Sequence, residues 1–195
     1  MTKNWTQSAL KDYQMPLSST APASLASDPD TITHQFKKAM RRLTATVSII
    51  TTQEQGERFG MVVTAVSAVC TEPPAILVCI NRSASIYAPL TRIRRFSVNL
   101  LQERQHGLIA PFSSKLEHHE RFAHGAWGEA ECLPVLGGAQ ATLFCRVDGE
   151  LGYGSHDVLI GHVESVRVAD PIWPLLWQDG RPAASRMLLD ERVQA

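Results

Sequence analysis

The sequence lacks both a long apolar run and a net charge. No apolar run approaches the roughly 18 residues needed to cross a bilayer, so no membrane span is predicted. Nineteen Lys and Arg residues balance nineteen Asp and Glu residues. Because polyanion binding needs a basic face, nucleic acid is not an expected partner. Charged residues make up 19% of the chain and apolar residues 44%, which excludes disorder of the whole chain.

Cysteine is scarce, and paired-cysteine motifs are absent. The cysteines show no Cys-x-x-Cys spacing and no dense framework; they are Cys70, Cys79, Cys132 and Cys145. The first 14 residues lack the basic-then-apolar order of a secretory signal, so we expect a reduced, cytoplasmic protein. His118, His119 and His124 follow Glu117, but neighbours in sequence point apart on a helix, and no metal site is predicted.

The signatures of several enzyme classes are missing too. The sequence contains no GxGxxG after a strand, no GxxxxGK[ST], no HExxH and no GxSxG. These absences argue against Rossmann oxidoreductases, P-loop enzymes, zincins and α/β-hydrolases. They leave open an enzyme that binds its cofactor through backbone groups.

The composition changes along the chain. Residues 1–30 are rich in Ser, Ala and Thr and are punctuated by proline, so we expect an N-terminal tail that is flexible or packs on a partner subunit. Residues 31–182 are predicted to form one domain, and residues 183–195 a C-terminal tail. The N-terminal boundary is placed at Thr31, where a regular hydrophobic pattern begins.

The domain is predicted to contain more strands than helices. Phe36, Met40 and Leu43 recur at helical spacing, and a helix with Ser85 as N-cap is predicted after Asn81. Two short helices are predicted near residues 104–112 and 116–122. Stretches typical of strands are 45–52, 59–71, 75–81, 96–101, 139–151 and 157–169. Since strands do not alternate with helices, the pattern indicates a mainly β barrel or sandwich with peripheral helices.

Two segments are candidates for cofactor binding. Small residues open the segment Gly60–Ala65, where a flat ring could press against exposed backbone. The segment Asn81–Ser85 lies at a strand-to-helix junction, where free amides, two hydroxyls and a guanidinium suit a phosphate. A purely structural alternative is that Ser85 only caps the helix and Arg82 is only solvated. Together the two segments favour a nucleotide-type cofactor.

The run GMVVTAVSAVCTEPPAILVCINRSASI, from Gly60 to Ile86, resembles the signature of the flavin reductase-like family. These proteins are the small reductase components of two-component flavin-dependent monooxygenases. Further ordered matches are Arg95 to Leu101, Gly107 to Phe112, Arg121-Phe122 with Trp127, and Gly154 to Val163. The resemblance covers about Phe36 to Arg181.

The resemblance implies a split β-barrel of the FMN-binding, Greek-key type that forms a homodimer. It implies that NADH or NADPH reduces FMN or FAD, and that reduced flavin diffuses to a partner monooxygenase. Hydride transfer is chemistry of the cofactors, so no side chain is expected to act as catalytic acid, base or nucleophile.

The resemblance also implies a set of binding residues. Those expected to bind flavin are Met61, Val62, Val63, Thr64, Ala65, Asn81, Arg82, Ser83, Ser85, Phe112 and Ser113. Ser155 and His156 are expected at the nicotinamide. Val62, His162 and Pro182 depart from the family pattern, so altered flavin affinity or nucleotide preference is expected. Two alternatives remain open: the same fold reducing a ferric complex or cobalamin, or a non-catalytic flavin- or haem-binding module.

Overall fold

A computed structural model describes residues 29–114 and 116–187. The helices are α1 (Pro29–Met40), α2 (Tyr87–Ile93), α3 (Ile109–Ser113) and α4 (His118–Arg121), with a 3-10 helix at Glu103–Leu108. The strands are β1 (Ala45–Thr46), β2 (Ser48–Glu54), β3 (Glu57–Val63), β4 (Val66–Thr71), β5 (Pro74–Asn81), β6 (Arg95–Leu100), β7 (Trp127–Ala130), β8 (Leu133–Leu136), β9 (Ala141–Tyr153), β10 (His156–Val168), β11 (Leu175–Gln178) and β12 (Arg181–Ala184). The chain divides into two compact units at Lys37, within α1, and the strands belong to the second unit.

The main sheet has seven strands in the order β3-β2-β6-β9-β10-β5-β4, and all neighbours are antiparallel. Its two edge strands, β3 and β4, are consecutive in the chain and separated only by Thr64 and Ala65. Such a link spans about 10 Å at most, so the sheet must curl until its edges approach each other. The result is a barrel that is split at this seam, which confirms the predicted mainly β, split-barrel class.

Buried apolar side chains pack on both faces of β2. Ile50, Phe96 and Val78 belong to a core cluster of which no member is more than 8% exposed. A second cluster includes Ile49 and Phe112 and packs against the other face of β2. Because successive residues of a strand point to opposite faces, the adjacent Ile49 and Ile50 place β2 between the two cores.

Most predicted strands are confirmed, and two are corrected. The stretch 59–71 is not one strand: it breaks at Thr64 and Ala65, and its halves form opposite edges of the sheet. The stretch 45–52 is divided at Val47. The Val47 amide donates a hydrogen bond to the Leu175 carbonyl at 2.9 Å, and the Val47 carbonyl accepts one from the Leu101 amide at 3.0 Å. Val47 is therefore the residue at which the chain passes from the small β1-β11-β12 sheet to the main sheet.

The helix boundaries also differ from prediction. The helix after Asn81 begins at Tyr87, with Ile86 at its N-cap position and no capping side chain, so the prediction of Ser85 as cap was wrong. Leu43 lies beyond the end of α1. The predicted tail 1–30 falls outside the described residues except for its last two, which begin α1. Within residues 29–114 and 116–187, no helix is long and apolar enough to cross a membrane.

Candidate functional site

A cavity of about 560 Å³ lies beside the last residues of β3, next to the seam. Its volume falls within the range of roughly 300–1,000 Å³ common for small-molecule and cofactor sites. Three chain segments meet there: the end of β3, the turn after β5, and the region from α3 to α4. The lining residues are Met61, Val62, Ser83, Ala84, Ser85, Phe112, Ser113, Ser114 and Arg121. Six of the eleven residues predicted to bind flavin are therefore brought together.

A second cavity, of about 200 Å³, adjoins the first and shares Val62 and Ser113 with it. It contains two more predicted residues, Val63 and Thr64, and Trp177 of β11 forms another part of its wall. Its wall is mainly apolar. The two cavities together follow the seam segment that was predicted to receive a flat ring.

The turn after β5 is held by the side chain of Asn81. Its Oδ1 accepts hydrogen bonds from the Ser83 amide at 2.9 Å and the Ser83 hydroxyl at 2.8 Å. The Ala84 amide donates to the Asn81 carbonyl at 3.0 Å. Asn81 thus folds the turn so that Ser83, Ala84 and Ser85 face the cavity, although Asn81 itself does not line it.

Arg82 binds the β9–β10 hairpin, at the turn residue Gly154 and at Asp157 of β10, and does not line the cavity. Its Nε donates to Asp157 Oδ1 at 2.8 Å, and its Nη1 donates to the Gly154 carbonyl at 3.1 Å. The Tyr87 hydroxyl donates to the other Asp157 oxygen at 2.5 Å. The hydrogen bonds from Arg82 and then Tyr87 lower the pKa of Asp157. A direct phosphate contact by Arg82 therefore stays a prediction.

Ser155 belongs to the turn between β9 and β10, and His156 follows it directly. His156 begins β10 and is opposite Asn81 of β5 in the strand register. Its Nδ1 is 2.9 Å from the Ser155 hydroxyl oxygen, and both side chains are exposed. The Arg82 amide donates to the Ser155 carbonyl at 3.0 Å, so the predicted nicotinamide residues are anchored to the turn that borders the cavity.

Phe112 is a wall of the cavity that belongs to the core. It lies on α3, is 2% exposed, and packs edge-on against Phe122 with ring centroids 5.3 Å apart. Trp127 contacts it from another side at 5.2 Å. A Cβ added at Gly60 would lie 2.9 Å from Phe112 Cε1, so glycine allows this ring to approach β3. Phe112 is thus held in place by its neighbours where it borders the cavity.

Arg121, at the end of α4, was not predicted as a site residue. It is 9% exposed, and its Nη1 donates to the Gly60 carbonyl at 2.9 Å. Nε and Nη2 donate to the carbonyls of Leu116 and Ser114 at 3.0 and 3.1 Å. The match of the Arg121-Phe122 pair to the family pattern was the one sequence signal that pointed to this arginine.

The chemical character of the larger cavity suits a flavin nucleotide. Met61, Val62 and Phe112 supply apolar wall, and serine hydroxyls and backbone amides supply polar groups. Arg121 is the one charged residue among those that line it in the described chain. A flat ring carrying a polar, anionic chain matches this distribution. Among residues 29–114 and 116–187, no three His, Cys, Asp or Glu residues are grouped to hold a metal ion.

A split β-barrel with a cofactor-sized cavity at its seam defines a class of small cofactor-binding proteins. Within that class, the family model described as "Flavin reductase like domain" matches residues 40–185. The chain belongs to the flavin reductase-like family, and the predicted family is confirmed.

Named relatives cover nearly the same part of the chain. "FMN reductase (NADH) RutF 2" of Rhizobium rhizogenes is 39% identical over 166 residues, which are 85% of this chain and 95% of that protein. The reductase component of an FADH(2)-dependent resorcinol hydroxylase from Rhizobium sp. is 36% identical over 160 residues, covering 80% and 89%. The flavin reductase of styrene monooxygenase from Pseudomonas putida S12 has a similar structure, with a TM-score of 0.73, 26% identity, and coverage of 80% and 99%.

Proposed function

We propose that the protein is an NAD(P)H:flavin oxidoreductase that reduces FMN or FAD and releases reduced flavin to a partner monooxygenase. The observation that carries the proposal is the cavity at the seam, formed by segments that the family resemblance predicts to bind flavin. The names of the relatives include an FMN reductase (NADH) and the reductase component of a hydroxylase that uses reduced FAD. Both flavins are therefore candidate substrates.

The residues of the chain would bind and orient the two cofactors. Backbone groups from Met61 to Ala65 would contact the ring, and the turn Asn81–Ser85 would contact the phosphate end. Ser155 and His156, exposed beside that turn, would contact the nicotinamide. The cofactors themselves supply a hydride donor and a hydride acceptor. The protein contributes the near-attack arrangement of the rings and the exclusion of water around them.

Turnover tests this proposal directly. Purified protein should oxidise NADH or NADPH only when FMN or FAD is added. Replacing His156 by Ala should raise the KM for the nicotinamide nucleotide while leaving the Kd for flavin unchanged. His106→Ala, which changes an exposed histidine on the 3-10 helix, is the matched control. An unchanged KM in His156→Ala would remove the nicotinamide role, and no turnover with either flavin would favour a binding module.

Diffusion of reduced flavin is testable without contact between the proteins. The reductase and the oxygenase component of a phenol-hydroxylating two-component system are placed on opposite sides of a dialysis membrane under low oxygen. Hydroxylated product on the oxygenase side supports transfer by diffusion. Product that forms only when the two proteins share a compartment would require direct contact instead.

We also propose a homodimer in the cytoplasm. Large apolar side chains that are exposed in the single chain support the dimer: Val168 is 76% exposed, Ile172 74% and Trp173 52%. All four cysteines are unpaired, as expected in a reducing compartment. Light scattering on the purified protein would test the dimer. A monomer at micromolar concentration would contradict it.

A further inference from the structure

Arg121 is a buried cation, and no described residue is its anionic partner. The side chain is 9% exposed. Across the part of the chain that the structure describes, no carboxylate forms an ion pair with it. Burying a charge is costly unless another charge compensates it. An anionic ligand in the adjoining cavity would provide that compensation.

The hydrogen bonds of Arg121 fix the orientation of the guanidinium but do not use all of its N–H donors. A guanidinium has five N–H donors. Three of these are directed to the carbonyls of Gly60, Leu116 and Ser114 at 2.9 to 3.1 Å. These neutral acceptors orient the group while leaving its full positive charge and two N–H donors. Because Arg121 lines the cavity, its charge is held where a ligand would lie.

Most serine hydroxyls around the cavity already donate hydrogen bonds to protein atoms, so they do not replace Arg121 as donors to an anion. The Ser83 hydroxyl donates to Asn81 Oδ1 at 2.8 Å. The Ser114 hydroxyl donates to the Pro111 carbonyl at 2.9 Å, and that of Ser113 donates to the Ile109 carbonyl. Their protons are thus directed to protein acceptors. The backbone amides of Arg82, Ser83 and Ala84 also donate to protein oxygens. Among the described residues that line the cavity, the donors suited to an anion therefore belong to Arg121 and Ser85.

The other arginine near the cavity is already paired. Arg82 forms an ion pair with Asp157, whose side chain is 9% exposed, and the two charges offset each other. The uncompensated positive charge available to an anion at the turn is therefore that of Arg121.

We propose that Arg121 is the anion-binding residue of this cavity and that its ligand is the phosphate group of a flavin nucleotide. The inference rests on the proposed function and deepens it. The site should favour phosphorylated flavins, whether the monoester of FMN or the diester of FAD, over riboflavin. A guanidinium held by three carbonyls is a rigid donor for such a group, which a lysine would reproduce only in charge.

The test is the ratio of dissociation constants for riboflavin and FMN, measured by quenching of flavin fluorescence. One charge-assisted interaction predicts about tenfold to a hundredfold tighter binding of FMN by the unmodified protein. In Arg121→Met the ratio should approach one, and Arg121→Lys should recover part of it. Arg104→Met, which removes the same charge at an exposed position, should keep the original ratio. FAD titrations in the same variants show whether the diester depends on Arg121 as strongly as the monoester.

If Arg121 had only a structural role, Arg121→Met would bind riboflavin and FMN more weakly by the same factor, and the ratio of the two dissociation constants would not change. That result would overturn the proposal. Arg121 also joins two backbone segments, β3 and the α3–α4 linker, so Arg121→Met is expected to lose stability as well as charge. The unmodified protein therefore provides a second measurement. Inorganic phosphate at constant ionic strength should raise the apparent Kd of FMN and leave that of riboflavin unchanged. If phosphate affects neither or both, the proposal is wrong. If neither flavin binds at all, the proposed function itself fails.

Discussion

The contact between Gly60 and Phe112 gives a prediction whose size follows from the structure. In Gly60→Ala the new Cβ would lie 2.9 Å from Phe112 Cε1 and 3.2 Å from Phe122 Cζ, closer than carbon atoms normally pack. Phe112 is 2% exposed, so its ring cannot turn away into solvent. Overpacking of this kind costs about 1–3 kcal/mol. For a chain of this length that cost lowers Tm by about 2 to 12 °C.

Thermal unfolding followed by circular dichroism measures this effect. Gly107→Ala is the matched control, because an added Cβ there meets no atom of the described residues within 4 Å. The double variant Gly60→Ala/Phe112→Leu identifies the cause. The single variant Phe112→Leu is measured as well. If the Phe112 ring is the obstacle, the Tm losses of Gly60→Ala and Phe112→Leu should sum to more than the Tm loss of the double variant. A Gly60→Ala protein as stable as Gly107→Ala would refute the reasoning.

Two further predictions concern titratable groups. Because Arg82 lowers the pKa of Asp157, this carboxylate stabilises the fold above its ordinary pKa, and the contribution is lost as pH falls through the lowered value. The Tm advantage over Asp157→Asn should shrink between about pH 7 and about pH 3, and an advantage independent of pH would contradict this. Burial raises the pKa of Cys145 to about 12, so a thiol reagent at neutral pH should label the exposed Cys70 and Cys132 but reach Cys145 only after denaturation. Mass spectrometry of labelled peptides checks this, and rapid native labelling of Cys145 would refute it.

Local periodicity was sufficient to predict the long hairpin of β9 and β10. Each strand has 13 residues, and a glycine-containing turn between them gives a local signal. The break at Thr64 and Ala65 had no such signal, because β-branched and small residues continue through it from β3 into β4. Only the pairing of β3 with β2 and of β4 with β5 shows that the two halves diverge.

The position of a predicted binding residue near the cavity could be inferred from sequence where it depends on immediate neighbours. Asn81 and Ser83 form a turn that depends only on nearby residues, and Ser83 lines the cavity. Arg121 was different, since its Gly60 partner is 61 residues away. In the sequence it follows His118, His119 and Glu120, a pattern typical of a solvated surface. Its burial depends on tertiary contacts that no local pattern contains.

The seam has a consequence for the order in which the barrel is assembled. The hairpins β2–β3 and β4–β5 each join neighbouring segments, so they can form early and independently. Their union into one sheet requires β6, β9 and β10, and residues as distant as Asn81 and His156 must then pair. Since the cavity borders the link between the hairpins, it is complete only after this late, non-local step. A bound ligand should therefore slow the opening of the native protein more than it accelerates folding.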